Sequence, residues 1–168
     1  MQRTDFGKMH CSIAKAMAVL GEPWTPLILR DILLGFSRFD DLRRDLDIST
    51  NVLTDRLAVL VDHGVVERVP VDSEPQHNEY RLTEKGRDAV PILLAMVAWG
   101  DRWETGRAGP PTDVVHEACG HATAATVHCS ECGEPLLVDD LSYRRGPGSR
   151  RGPGTRLLRD RLGPPIDR

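Results

Sequence analysis

Apolar positions over the first hundred residues recur every three or four residues in successive runs, the period of helices with one buried face. Ile13, Ala16, Met17 and Leu20 predict a helix over residues 11–20. Leu27–Leu34, interrupted by Arg30 and Asp31, makes residues 24–34 a helix that is apolar on most sides and therefore buried. Phe39, Leu42 and Leu46 mark a third helix, and Leu53, Leu57, Leu60 and Val61 a fourth that stops at Gly64. The turn between them is Asp47–Ile48–Ser49. Ser37 with Asp40 predicts a capped start for the third helix, and Ser49 caps the fourth in the same way.

The period then changes. Val65–Pro70 and Asn78–Leu82 read as two strands around a polar loop. Thr83 is placed to cap a last helix running to about Trp103. That helix carries two apolar stripes: Val90, Leu93, Leu94 and Val97, then Ile92, Met96, Trp99 and Trp103. One stripe can pack on its own domain. The other needs a partner, and a second copy of the chain is expected there. Helix, tight turn, helix and hairpin in that order predict a winged helix-turn-helix: mainly α with a small β-wing (α+β). Such a fold presents one helix to the DNA major groove.

Composition changes after the last helix. Gly106–Pro111 is a linker, residues 114–141 form a small cysteine–histidine module, and residues 144–154 repeat Arg-Arg-Gly-Pro-Gly. The domain reading is therefore 1–109, a DNA-binding and dimerisation domain; 114–141, a zinc-ribbon-like module; and 143–168, a tail. Glycine, proline and self-repelling arginines predict disorder in that tail, with a helical turn near Leu157–Arg161.

Charge modifies the DNA-binding expectation. The net charge is −3, which is unexpected for a DNA binder. Residues 1–109 carry a balance of −3, residues 110–142 hold six acids and no Lys or Arg, and residues 143–168 carry +6. A footprint on the winged domain must be a local patch. Four cysteines are too few for a disulfide scaffold. There is no signal peptide and no apolar run of membrane-spanning length, so a soluble cytoplasmic protein with no membrane partner is expected.

An ordered set of short motifs resembles the HxlR-type transcriptional regulators, bacterial winged-helix proteins related in shape to the MarR group. It comprises Cys11–Ser12–Ile13–Ala14, Gly21–Glu22–Pro23–Trp24–Thr25, Leu27–Ile28–Leu29–Arg30, Leu53–Thr54–Asp55–Arg56–Leu57, His63–Gly64–Val65–Val66–Glu67–Arg68, Glu79–Tyr80–Arg81–Leu82–Thr83–Glu84–Lys85–Gly86 and Trp99–Gly100–Asp101–Arg102–Trp103. Pro23 and Pro26 depart from the usual pattern, but proline is tolerated in a first helical turn. The resemblance implies a homodimeric regulator of a double-stranded DNA operator, responsive to a small-molecule effector or to thiol oxidation.

The side of the fourth helix opposite its leucines holds Thr50, Asn51, Thr54, Asp55 and Arg56. Asn pairs with adenine, Arg with guanine, and Thr with the thymine methyl or a phosphate. Asp55 repels phosphate, so it reads cytosine or pairs with a neighbour. The predicted wing, Asp72–Asn78, has no Lys or Arg, which leaves Arg68 and Arg81 at its base as phosphate contacts. Arg43 and Arg44 are further backbone candidates. The arginine tail can lie along phosphates or in a minor groove, or act only as a solubilising segment.

His116-Glu-Ala-Cys119-Gly120 and Cys129-Ser-Glu-Cys132-Gly133 share one spacing of ligand, two residues, cysteine and glycine. Two such knuckles can close a tetrahedral structural zinc site, with His121 as an alternative fourth ligand and His128 a weaker one. Cys11 stands at the start of the first helix, whose positive end favours a thiolate. The resemblance implies an oxidant- or electrophile-sensing cysteine at this position; the simpler reading is a half-buried core residue. No nucleophile–base set or phosphate-binding glycine loop suggests an enzyme. The alternative function is a protein-interaction module with a structural zinc flap, which the acidic wing and negative balance favour.

Overall fold

The computed structural model describes residues 5–71 and 74–166, without the side chains of residues 74–77. The acidic wing tip predicted at Asp72 and Ser73, and the side chains of Glu74–His77, thus lie outside the described residues. Seven α-helices and two small sheets follow one another among the described residues. They are α1 (Ser12–Leu20), α2 (Trp24–Leu33), α3 (Phe39–Asp45), α4 (Thr50–Asp62), β1 (Val66–Val71), β2 (Glu74–Leu82), α5 (Glu84–Arg87), α6 (Val90–Trp103), β3 (Val115–His116), β4 (His121–Ala122) and α7 (Leu158–Arg161).

Three successive helices end with the same device. Gly35, Asp47 and Gly64 follow α2, α3 and α4 with φ of 100°, 48° and 63°. In each case the next amide reaches back to a carbonyl in the last turn: Phe36 to Asp31, Ile48 to Arg43, and Val65 to Leu60. A left-handed residue at that position satisfies the otherwise orphaned carbonyls and reverses the chain. Glycine adopts this conformation without strain; aspartate is among the few other residues that tolerate it. Asp47 therefore sets the tight turn that aims α4.

The core lies where these turns fold the helices together. Ile28, Leu29, Leu42, Leu53, Leu57, Leu60 and Val66 are essentially solvent-free, with Val65 and Leu82 joining them from the wing. β1 and β2 form an antiparallel hairpin, in register from Val66↔Leu82 to Pro70↔Asn78, with an irregularity at Pro70/Val71. Ser37 does not cap α3. The cap position is Arg38, and the Ser37 carbonyl accepts from the Tyr80 amide at 2.7 Å while Arg38 bridges to Glu79. Pairing with the edge of β2 has replaced the local cap.

The helix expected over 84–103 is two helices. Thr83 does cap the first, its hydroxyl accepting from the Gly86 amide at 3.2 Å. Pro91, at the start of α6, has no amide to continue the ladder. Gly86 is required by packing, because a Cβ there would run into the Val65 carbonyl. The tail also differs from its expected disorder. Residues 143–166 form turns and α7, tied by an Arg151–Asp160 ion pair and by the buried Thr155 hydroxyl donating to the Arg150 carbonyl at 2.9 Å. Internal pairing offsets the repulsion that composition alone suggests.

Candidate functional site

The start of α4 is built to face outward. Ser49 caps it, its hydroxyl accepting from the Val52 amide at 3.4 Å. Leu53, Leu57 and Leu60 point into the core, while Thr50, Asn51, Thr54 and Asp55 are exposed. At about 100° per residue, Asn51 and Asp55 lie nearest the centre of the outward face, whereas Arg56 sits on its flank, half-buried. Arg56 therefore lies at the edge of the exposed face. The far end of α4 is clamped. Lys85 Nζ donates to the His63 carbonyl at 2.6 Å and Thr83 Oγ1 to the Gly64 carbonyl at 2.6 Å. A cation on the last carbonyls complements the helix dipole, so α5 holds α4 from behind.

The predicted phosphate contacts are dispersed around that helix. Arg43 and Arg44 lean on Asp40 and Asp41 of their own helix at 3.9 and 3.6 Å. Exposed pairs of this kind are weak and can be exchanged for phosphate. Arg81 is held by Glu79 at 2.8 Å. Arg68 instead lines a groove of about 420 Å³ with Arg38, Arg44, Asp40, Asp41, Asn78 and Tyr80. Arg38 is the residue that sequence reasoning missed. Its place follows from pairing with β2, a long-range contact with no local signal.

Cys11 is the N-cap residue of α1 and is half-buried. It lines a cavity of about 380 Å³ with His10, Lys15, Arg150 and Arg159. The basic tail is thus folded over the start of α1, an arrangement the sequence did not suggest. The α6 stripe expected at a dimer contact is uncovered, and so is one face of α1. Ile13 and Met17 of α1 are exposed, as are Ile92, Met96, Trp99 and Trp103 of α6. The Arg102 guanidinium lies 4.8 Å from the Trp103 ring centre.

In the cysteine–histidine module the predicted donors come together in pairs. His116 Nδ1 lies 3.4 Å from Cys119 Sγ. The Cys132 and Glu131 amides and the Cys132 thiol hydrogen-bond to Cys129, holding that thiol below its ordinary range. Among the described residues no three His, Cys, Asp or Glu side chains gather as a metal-holding group. His121 is paired across β3–β4 with His116, and His128 bridges to Pro135.

A family model described as HxlR-like helix-turn-helix matches residues 19–107. An HTH-type transcriptional regulator of Mycobacterium tuberculosis strain H37Rv is 39% identical over 137 residues, covering 82% of this chain and 87% of its own length. The HTH-type transcriptional regulator YvaP of Bacillus subtilis is 37% identical over 90 residues, covering 53% of this chain and 83% of its own. The solved structure of PA1607, described as a candidate transcription factor, superposes with a TM-score of 0.77 at 33% identity, covering 85% of this chain and all of that one. The redox regulator HypR in its oxidized form superposes with a TM-score of 0.51 at 32% identity, covering 55% of this chain and 96% of that one. No helix among the described residues is long and apolar enough to cross a membrane.

Proposed function

The chain belongs to the HxlR-like helix-turn-helix family of transcriptional regulators, and on that premise we propose that it is a sequence-specific repressor that binds a double-stranded operator as a homodimer. The observation that carries this reading is the capped, outward-facing start of α4, with Thr50, Asn51 and Thr54 exposed opposite buried leucines. Side chains at that position in a helix-turn-helix reach base edges. Arg43, Arg68 and Arg81 act from the flanks as phosphate contacts, which position the protein without reading sequence. The uncovered faces of α1 and α6 supply the dimer contact. A symmetric dimer places two copies of α4 in successive major grooves.

Regulation follows from the same interface: an effector or thiol oxidation that shifts the two copies changes their spacing and so the affinity. Cys11 at the start of α1 is the residue proposed to report oxidation, and the likeness to a redox regulator supports this reading. Peroxide or a quinone would release DNA from the native chain and not from Cys11→Ser.

The test is selection of DNA from a random pool at physiological salt, followed by titration of the winner. A pseudo-palindrome should emerge with half-sites about 10 base pairs or a multiple apart. Asn51→Ala should lose about 1–3 kcal/mol on that site and little on random DNA. Equal loss on both would remove base reading by this helix. Failure to enrich any duplex, with a protein co-purifying, would replace the proposal with the interaction-module reading.

A further inference from the structure

The cysteine–histidine module is a duplicated fold, with an offset of 13 residues. In the first copy the Gly120 amide donates to the His116 carbonyl at 2.8 Å, and the Thr123 amide to the Val114 carbonyl at 2.7 Å. In the second the Gly133 amide donates to the Cys129 carbonyl at 2.9 Å, and the Leu136 amide to the Val127 carbonyl at 2.9 Å. Gly120 and Gly133 have φ of 70° and 75°, so both turns reverse through a left-handed glycine. The strand pairings correspond too: His116 faces His121, and the Cys129 amide donates to the Glu134 carbonyl. Each copy is a hairpin whose tip presents one donor and, three residues on, a cysteine.

We infer that these two hairpins close on a single structural zinc ion held by His116, Cys119, Cys129 and Cys132. The repeat decides between the histidines. His116 stands where Cys129 stands in the second copy, and Cys119 where Cys132 stands. His121 corresponds instead to Glu134 and His128 to Val115, both on the hairpin arms rather than at the donor positions. Three thiolates and one imidazole suit zinc, and disfavour magnesium and calcium, which take oxygen ligands.

Packing gives a reason for the ion. No residue from 110 to 142 is buried, and Val127, Leu137 and Val138 are well exposed. A segment without a core needs a cross-link to hold a shape. The donors stand as two preassembled pairs, and residues 123–126 connect them. Closing one hairpin on the other completes four ligands. Binding takes three thiol protons to solvent, leaves the histidine neutral, and gives a centre of charge −1.

The test uses the full-length reduced protein, stripped with chelator and titrated with cobalt(II) and then zinc. The expected result is one equivalent per chain, with tetrahedral d–d bands and thiolate charge-transfer bands, and displacement of cobalt by zinc. Cys132→Ser and His116→Ala should each weaken binding at least tenfold and shift the d–d bands; His121→Ala and Cys11→Ser should do neither. Far-ultraviolet circular dichroism checks that each variant keeps its helices. Absence of stoichiometric binding overturns the site. So does one equivalent per two chains. Loss on His121→Ala with retention on His116→Ala overturns the assignment drawn from the repeat.

Discussion

Between α2 and Ala89 the chain buries a continuous set of leucines, isoleucines and valines, whereas from Val90 to Gly154 no residue is fully buried. The first region is held by apolar packing, which Val90 and Leu93 of α6 join from its edge, and the stretch from 110 to 142 by backbone turns. Both reverse the chain through left-handed residues, Gly35, Asp47 and Gly64 in one and Gly120 and Gly133 in the other. The difference lies in what the turns bring together: apolar faces that exclude water, or pairs of sulfur and nitrogen donors. A turn that gathers leucines stabilises itself. A turn that gathers thiols depends on what the thiols bind.

The largest effect expected on this contrast comes from cutting into the packed side. Leu57, 2% exposed, should lose about 2–5 kcal/mol on substitution by alanine, from lost transfer energy and the cavity left behind. Chemical denaturation followed by circular dichroism measures it. A loss under about 1 kcal/mol would mean that the core is not tight at this point.

Metal removal should act on the other side only. Chelation under reducing conditions should expose residues 110–142 to protease while leaving the helical melting temperature unchanged. A fall in that temperature would show that the two regions are thermodynamically joined, a coupling for which the contact of α6 with Val114, His116 and Thr123 around a shared cavity is the natural route.

A pH dependence arises within the packed region. Asp31 is buried beside Arg30 at 2.6 Å, and among the described residues its second oxygen, Oδ2, has no hydrogen-bond partner. Burial raises its pKa above the ordinary 3.8, and the Arg30 guanidinium opposes that rise without cancelling it. The folded state thus favours the protonated acid. Its contribution is fully present below pH 3.8 and is lost as pH rises through the folded-state value. Wild type should lose stability relative to Asp31→Asn between acid and neutral pH, as seen in paired melts. The smallest effect is expected at Val138, 82% exposed, where alanine should change stability by less than about 0.5 kcal/mol.

The helix-turn-helix and its wing were legible because their period is local: the leucines of α4, the Ser49 and Thr83 caps and the stop at Gly64 need nothing from elsewhere in the chain. What was missed depends on distant partners. Ser37 carries a good capping residue type, yet its carbonyl is taken by Tyr80 across the fold. At the proposed zinc site, the ligand–x–x–Cys–Gly spacing is visible in the sequence. The matching arms are not, because Val114/Thr123 and Val127/Leu136 correspond through backbone hydrogen bonds rather than through side-chain type. In the tail the helical turn near Leu157–Arg161 is legible and stands as α7, whereas composition says nothing of an arginine that finds its aspartate.

That tail has a consequence for the order in which the molecule assembles. Gly152 and Gly154 lie against His10 and Met9, and nearby residues of the tail line a cavity together with Cys11. Contact between these segments closes a loop of about 140 residues, and closure entropy grows only with the logarithm of loop length. The penalty in stability over a loop half as long is only about 0.6 kcal/mol, but the kinetic effect is larger. Two segments so far apart in sequence find each other slowly until the helices between them have shortened the path, because non-local contacts wait on local ones. The cover over Cys11 is therefore expected to form after the helices it spans. On a ribosome the thiol would stay open at least until residues 146–162 have emerged.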